Sequence, residues 1–137
     1  MLTLRPETDA DRPFLEALYA STREREMERV PWTDQQKADF LRMQFEAQRS
    51  HYRQHYPGAS FDVIEASGEA VGRLYVSRWP DEIRIVDIAL APEARGRGWG
   101  SELLGQLFVE SAATGKAVSI HVEKQNPARR LYDRLGF

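Results

Sequence analysis

From Ile88 to Ser101 the chain reads Ile-Ala-Leu-Ala-Pro-Glu-Ala-Arg-Gly-Arg-Gly-Trp-Gly-Ser. An apolar run gives way to a turn holding Gly96, Gly98 and Gly100, and an amphipathic pattern follows. The first amides of a helix have no internal partner and point outward together. The helix dipole adds partial positive charge at the same end. Glycines admit an anion close to the backbone, and arginines supply full charge. Arg95, Gly96, Arg97, Gly98, Trp99, Gly100 and Ser101 therefore predict a cradle for a phosphorylated ligand. A valine at Gly98 is expected to abolish binding and leave the fold intact. A Walker loop needs G-x-x-x-x-G-K-[ST], and that lysine is missing. A dinucleotide fingerprint needs G-x-G-x-x-G, and position 101 is serine. The plain alternative is a glycine-rich turn that its arginines merely solvate.

Two further residues carry chemistry. Asp87 lies in an apolar strand two residues before Ala89, so the two share a face. A carboxylate stripped of water there makes a better base. The alternative is a buried aspartate paired with Arg84 or Arg73. Glu24, Glu28 or a chain of waters are fallback bases. Tyr132 stands beside Leu131 and Leu135 in the last helical segment. A phenol, with an ordinary pKa of about 10, can donate a proton to a leaving group; the alternative is a core tyrosine. His51 and His55 have the i, i+4 spacing of a metal pair. Position 52 is tyrosine rather than glutamate and no third ligand is evident, so a solvated pair is expected and no metal. The chain has no cysteine, which excludes disulfides and a cysteine-bound acyl intermediate. No G-x-S-x-G motif supports a hydrolase.

Several elements must position these residues. Leu2 to Arg5 reads as a short strand. Thr8 or Asp9 caps a helix running to about Arg25, with Phe14, Leu15, Leu18 and Tyr19 on one face. Val30-Pro31-Trp32 breaks it. A second helix runs from Thr33 or Asp34 to about His55, with a buried stripe of Ala38, Leu41, Phe45, Gln48 and Tyr52. Strands are predicted over Ser60–Ala66, Ala70–Ser77 and Glu82–Leu90. The third is apolar on both faces and belongs in the middle of a covered sheet. A helix from about Gly98 to Ala113, a strand over Ala117–Val122 and a helix from Asn126 or Pro127 to Leu135 complete the order β-α-α-β-β-β-α-β-α. That is an α/β sandwich with a mixed sheet and flanking helices.

Length and charge bound the rest. The 137 residues suit one domain. Net charge is −2, and acidic and basic residues are balanced along the chain, so no nucleic-acid or membrane-surface module is expected. No apolar run is long enough to span a bilayer. Met1 to Pro13 has no apolar core of a signal peptide, and a cytoplasmic location is expected.

Arg95-x-x-Gly98-x-Gly100 after an apolar strand resembles the pyrophosphate-binding motif of GNAT N-acetyltransferases. Asp87-Ile88-Ala89-Leu90-Ala91-Pro92 matches that family's strand in register. A second signature follows in Asn126-Pro127-Ala128-Arg129-Arg130-Leu131-Tyr132-Asp133-Arg134-Leu135-Gly136-Phe137. The likeness covers most of the chain, strongly from Ile83 onward and in layout before it. It implies a GNAT-like α/β sandwich with a mixed, mostly antiparallel sheet, acetyl-CoA as acyl donor, and an amine acceptor attacking directly in a ternary complex. It also implies that backbone groups of Ile88 and Leu90 pair with the pantetheine arm, and that amides of Gly96 to Ser101 hold the pyrophosphate. A strand amide near Ile88 or Ala89 would stabilise the oxyanion. Asn126 would contact the pantetheine region, and Tyr132 would lie near the sulfur as the acid. The first two helices border the acceptor pocket in the family, so Trp32, Phe40, Phe45 and Tyr52 are candidates to line it, with core packing as the alternative.

Family members continue past the position of Phe137 with two more strands. The expectation is a single domain over 1–137, truncated at its C-terminus, in which the outer edge of Ala117–Val122 is unpaired unless a neighbouring molecule, as in a homodimer, completes the sheet. The alternative function is a non-catalytic acyl-CoA-binding or regulatory module; Tyr132 speaks against it.

Overall fold

In the computed structural model, residues 2–120 are described. Five strands form one sheet: β1 (Leu2–Pro6), β2 (Ser60–Ala66), β3 (Glu69–Arg78), β4 (Glu82–Leu90) and β5 (Ala117–Ile120), in that spatial order. The first four are antiparallel neighbours, and β5 runs parallel to β4. A parallel pair needs a crossover, supplied here by helix α4 (Trp99–Thr114). The expected mixed, mostly antiparallel sheet is thus present. Among the described residues β5 pairs with β4 alone, and β1 lies at the opposite edge.

Two layers of helix cover the sheet. On one face, Leu103, Leu104 and Leu107 of α4 pack with Ile64, Leu74, Val76, Ile83, Ile85 and Ile88. Each such aliphatic side chain contributes roughly 1.5–3 kcal/mol by leaving water. Against the other face lie α1 (Arg12–Thr22) and α3 (Asp34–His55). Leu15 and Tyr19 meet Phe45 there, and Leu18 meets Ala89, Ala91 and Ala94.

The β3–β4 register passes from Tyr75 opposite Asp87 to Val76 opposite Ile85. Val86 is therefore the extra residue of a bulge on β4. Without it, Ile85 and Asp87 would share a face. With it, Ile85 and Ile88 join one core cluster, and Asp87 turns to the side of α1 and α3. Because Ile83, Ile85, Val86, Ile88 and Ala89 are all buried, the apolar pattern gives no hint of the shift.

Two expectations are corrected. The first helix ends at Thr22, and a separate short helix, α2 (Glu24–Glu28), follows. Ser21 Oγ donates to the Leu18 carbonyl at 2.6 Å and Thr22 Oγ1 to that of Tyr19 at 2.7 Å. Such side-chain bonds compete with the helical ladder. Ala38, assigned to a buried stripe, is exposed, and of that stripe only Phe45 is fully buried. Among the described residues no helix is long and apolar enough to cross a membrane.

Gly72 sits opposite Leu90 in the β3–β4 ladder. A Cβ there would lie 2.3 Å from the Ala89 carbonyl oxygen and 3.0 Å from Leu90 Cδ2. Gly72→Ala is expected to lower stability by about 1–3 kcal/mol in urea denaturation, as overpacking does. Gly58→Ala, where a Cβ meets nothing within 4 Å, should stay within about 0.5 kcal/mol.

Arg5 of β1 binds Asp11 through both ends of its guanidinium, at 2.7 and 2.8 Å, and reaches Glu65 at 2.9 Å. The Arg5 bonds pull Asp11 from an ordinary aspartate value to about 2. A carboxylate with a depressed folded-state pKa stabilises the fold above its unfolded value, near 3.9, and loses that contribution as pH falls through the folded value. Wild-type stability should therefore drop between about pH 4 and pH 2, and Asp11→Asn should flatten that part of the profile. An unchanged acid limb in the variant would refute the assignment.

Candidate anion cradle and active site

The segment after β4 makes one 3₁₀ turn, Pro92–Ala94, before α4 begins. Gly96 and Gly98 adopt φ of 76° and 78°, the left-handed region that side chains with a Cβ avoid. Gly98 is the N-cap of α4 and brings no side chain to the helix's first amides. A Cβ at Gly96 or Gly98 would meet nothing within 4 Å, so the loop presents an open face. Gly98→Val would impose left-handed strain on a β-branched residue, which corrects the expectation of an unaffected fold. Gly100 is buried under the first turn of α4, and Ser101 is exposed beside it.

The two arginines have different surroundings. Arg95 is half-buried, and its Nε donates to the Leu90 carbonyl at 3.1 Å. Its Nη2 reaches Ser21 Oγ at 3.4 Å. It ties the end of β4 to α1, a structural duty that charge counting does not reveal. Arg97 is exposed, with its guanidinium carbon 5.1 Å from the centre of the Trp99 ring. Arg97 lines a groove of about 500 Å³ between α4 and the β2–β3 hairpin, together with Trp99, Glu69 and Ser67.

Upstream, Ile88 and Ala89 are buried and Leu90 is half-buried. Asp87 points into a polar network under α3. Its Oδ2 accepts from Arg73 Nη2 at 2.5 Å and from the Tyr52 hydroxyl at 3.0 Å. Arg73 Nη2 also donates to Gln48 Oε1 at 2.7 Å. The side chains of Arg73 and Asp87 are 5% and 11% exposed. Burial alone would push the Arg73 guanidinium down, but the Asp87 charge, the neighbouring Tyr75 and Tyr52 and the Asp87 hydrogen bond together outweigh it and hold the group above its ordinary range. Next to this pair, the Tyr75 hydroxyl donates to Glu7 at 2.5 Å, and Arg53 and Arg49 close on the same carboxylate. Burial, first, and then the Glu7 bond push the Tyr75 phenol up, even with Arg73 nearby.

Of the two partners considered for Asp87, the structure selects Arg73; Arg84 turns to Ser119 Oγ at 3.3 Å. Gln48 was legible only as a member of a helical stripe, and Tyr52 as that and as a candidate to line the acceptor pocket. Their polar ends at i and i+4 of Phe45's neighbourhood were the available signal for a network. Trp32 and Phe40 pack edge to face on each other, with ring centres 5.3 Å apart. Phe45, Leu41 and Met27 line a groove of about 620 Å³ between α1, α2 and α3, with Glu24 and Glu28 also on it. His51 and His55 stack on each other, 4.1 Å apart. Asn126 and Tyr132 lie outside the described residues.

The model of the Acetyltransferase (GNAT) family matches residues 13–137. The chain belongs to the GNAT family. Within that family, it is 36% identical over 58 residues to a [ribosomal protein bS18]-alanine N-acetyltransferase of Haemophilus influenzae. That match spans 42% of this chain and 40% of the relative's length. Among solved GNAT folds, the PaiA N-acetyltransferase of Thermoplasma acidophilum, determined with coenzyme A, superposes with a TM-score of 0.68 at 15% identity, covering 100% of this chain and 89% of the other. A ribosomal-protein-alanine N-acetyltransferase of Brucella melitensis gives 0.61 at 16% identity over 100% and 92% of the two chains. A GNAT acetyltransferase of Elizabethkingia anophelis with acetyl-CoA bound gives 0.60 at 16%, over 99% and 75%.

The Arg73–Asp87 pair has a direct thermodynamic test. Arg73→Met leaves a buried carboxylate without its cation and is expected to cost about 3–5 kcal/mol. Arg73→Met combined with Asp87→Leu should recover much of that loss, because no charge is left stranded. Urea denaturation of the two single variants and the double variant measures both. A loss under about 1 kcal/mol in Arg73→Met would show that the pair is not desolvated as the geometry has it.

Proposed function

We propose that this protein transfers the acetyl group of acetyl-CoA to a primary amine by direct attack in a ternary complex. The observation that carries the reading is the left-handed Gly98 cap, which opens the N-terminus of α4 at the end of β4 in a chain of the GNAT family. A pyrophosphate is suited to that place, because uncapped amides, a helix dipole and Arg97 converge on it. The pantetheine arm would run back along β4, over Leu90, Ala89 and Ile88, with Asn126 beside it. That course brings the thioester toward Asp87.

The amine nitrogen attacks the thioester carbonyl carbon only as a free base. Asp87 is the group proposed to take its proton. As the C–S bond breaks, the sulfur keeps the electron pair and takes a proton from Tyr132, and the second proton lost by the nitrogen as the tetrahedral intermediate collapses restores the phenol. The acceptor is an amine of a small molecule or protein. The relatives named for ribosomal-protein alanine make an alanine-terminated peptide the first acceptor to try.

Acetyl-CoA at about a hundred times its dissociation constant should stabilise the protein by about 2.7 kcal/mol, while ATP and NAD should not. Thiol release should require an amine, measured over a panel of alkylamines and peptide amines. Tyr132→Phe should lower kcat by about 10²–10⁴-fold with acetyl-CoA affinity unchanged, and Asp87→Asn should remove the acidic limb of the pH–rate profile. Acetyl-CoA binding with no amine-dependent thiol release would instead support the non-catalytic acyl-CoA-binding reading.

A further inference from the structure

Tyr52 belongs to α3, yet its hydroxyl crosses to β4 and donates to Asp87 Oδ2 at 3.0 Å. Its ring is fixed edge-on to Tyr75, with centres 6.0 Å apart and planes at 89°. The carboxylate it meets is 11% exposed and also holds Arg73. An ammonium arriving from solvent has little of that carboxylate to touch, whereas a phenol oxygen already rests on it. A hydroxyl can accept one proton while it gives another away, which neither the carboxylate nor the guanidinium can do.

We propose that Tyr52 is the proton relay between the acceptor ammonium and Asp87, an inference that rests on the amine acetylation argued above. In the step, an N–H bond of the ammonium breaks and its proton binds the Tyr52 oxygen. The proton that Tyr52 carried passes to Asp87 Oδ2. The nitrogen lone pair is freed for attack, Tyr52 ends as a neutral phenol, and Asp87 ends as a neutral acid. One positive and one negative charge disappear together, and the Arg73 cation that remains keeps its bond to Gln48. Arg73, bonded also to Gln48, keeps the carboxylate in place throughout. Among the described residues, the charged and titratable groups facing Tyr52 include Arg73 and Tyr75 of β3, Asp87 of β4 and His51 of its own helix. Tyr75 bonds Glu7, and Arg49 and Arg53 both bond that same carboxylate.

A relay is needed only when the acceptor arrives protonated. The test compares wild type and Tyr52→Phe with two acceptors: the best alkylamine of the panel, and its trifluoromethyl analogue, which is neutral at neutral pH. With the alkylamine, Tyr52→Phe should lower kcat about 100-fold or more. With the weakly basic analogue, the two proteins should agree within a few-fold. Acetyl-CoA affinity by calorimetry should be the same in both. Equal losses with both acceptors, or a loss of acetyl-CoA affinity, would show a structural role and overturn the relay. So would wild-type turnover of the alkylamine by Tyr52→Phe. If wild type itself releases no thiol with any amine, the acetyltransferase reading falls first and the relay falls with it.

Discussion

Arg73 and Asp87 place opposite charges on adjacent strands, beneath a helix that removes both from water. Neither is tolerable there alone, because an unpaired buried charge costs several kcal/mol. Together they fix three elements at once. Arg73 holds Gln48 of α3, Asp87 holds Tyr52 one helical turn further on, and the ion pair joins β3 to β4. The long helix α3 carries little apolar surface, and only Phe45 is fully buried. Its seat on the sheet therefore depends on polar bonds, those of Glu7 to Arg49 and Arg53 included.

Strand β4 serves both faces of the sheet. Its even-numbered and odd-numbered residues cannot divide the two duties by simple alternation, because Ile83, Ile85 and Ile88 all belong to the α4 side. The bulge at Val86 resolves this by adding one residue, after which Asp87 and Ala89 face α3 and α1. The same strand then ends against Gly72, whose missing side chain lets the Ala89 carbonyl approach. Arg95 fastens the following loop to the Leu90 carbonyl and to α1. The open left-handed turn at Gly96 and Gly98 is thus tied at its β4 end through Arg95 and runs into α4 at the other.

Much of this was legible in residue order. Ser60–Ala66 and Glu82–Leu90 occur at the predicted bounds, because the turns that flank them mark such strands sharply. The glycine turn and the start of α4 were legible because glycine spacing and a helix start are local facts. What escaped was non-local or degenerate. The bulge leaves no mark in a strand apolar on both faces. The end of the first helix depended on Ser21 and Thr22 turning back to carbonyls, which their types permit but do not require. Arg95 read as a ligand for an anion, and only the meeting of β4 with α1 shows its second duty. Gln48 and Tyr52 looked like the polar exceptions of an apolar stripe until Arg73 and Asp87 were placed beneath them.

On the reading proposed above, the layered arrangement also separates two kinds of chemistry. Anion binding would rest on the N-terminus of α4, which is anchored through Leu103, Leu104 and Leu107 in an apolar core. Proton handling, on the reading proposed here, rests on α3, which is anchored through charged and hydroxyl groups on the opposite face. A helix dipole and a glycine turn need rigidity, and close apolar packing supplies it. A carboxylate that must gain and lose a proton needs partners whose bonds survive both states, and Arg73 with Tyr52 supplies those. Strand β4 is the element common to both, so on that reading the residue added at Val86 would let a donor-binding end and a proton-accepting side chain occupy one strand without sharing a face.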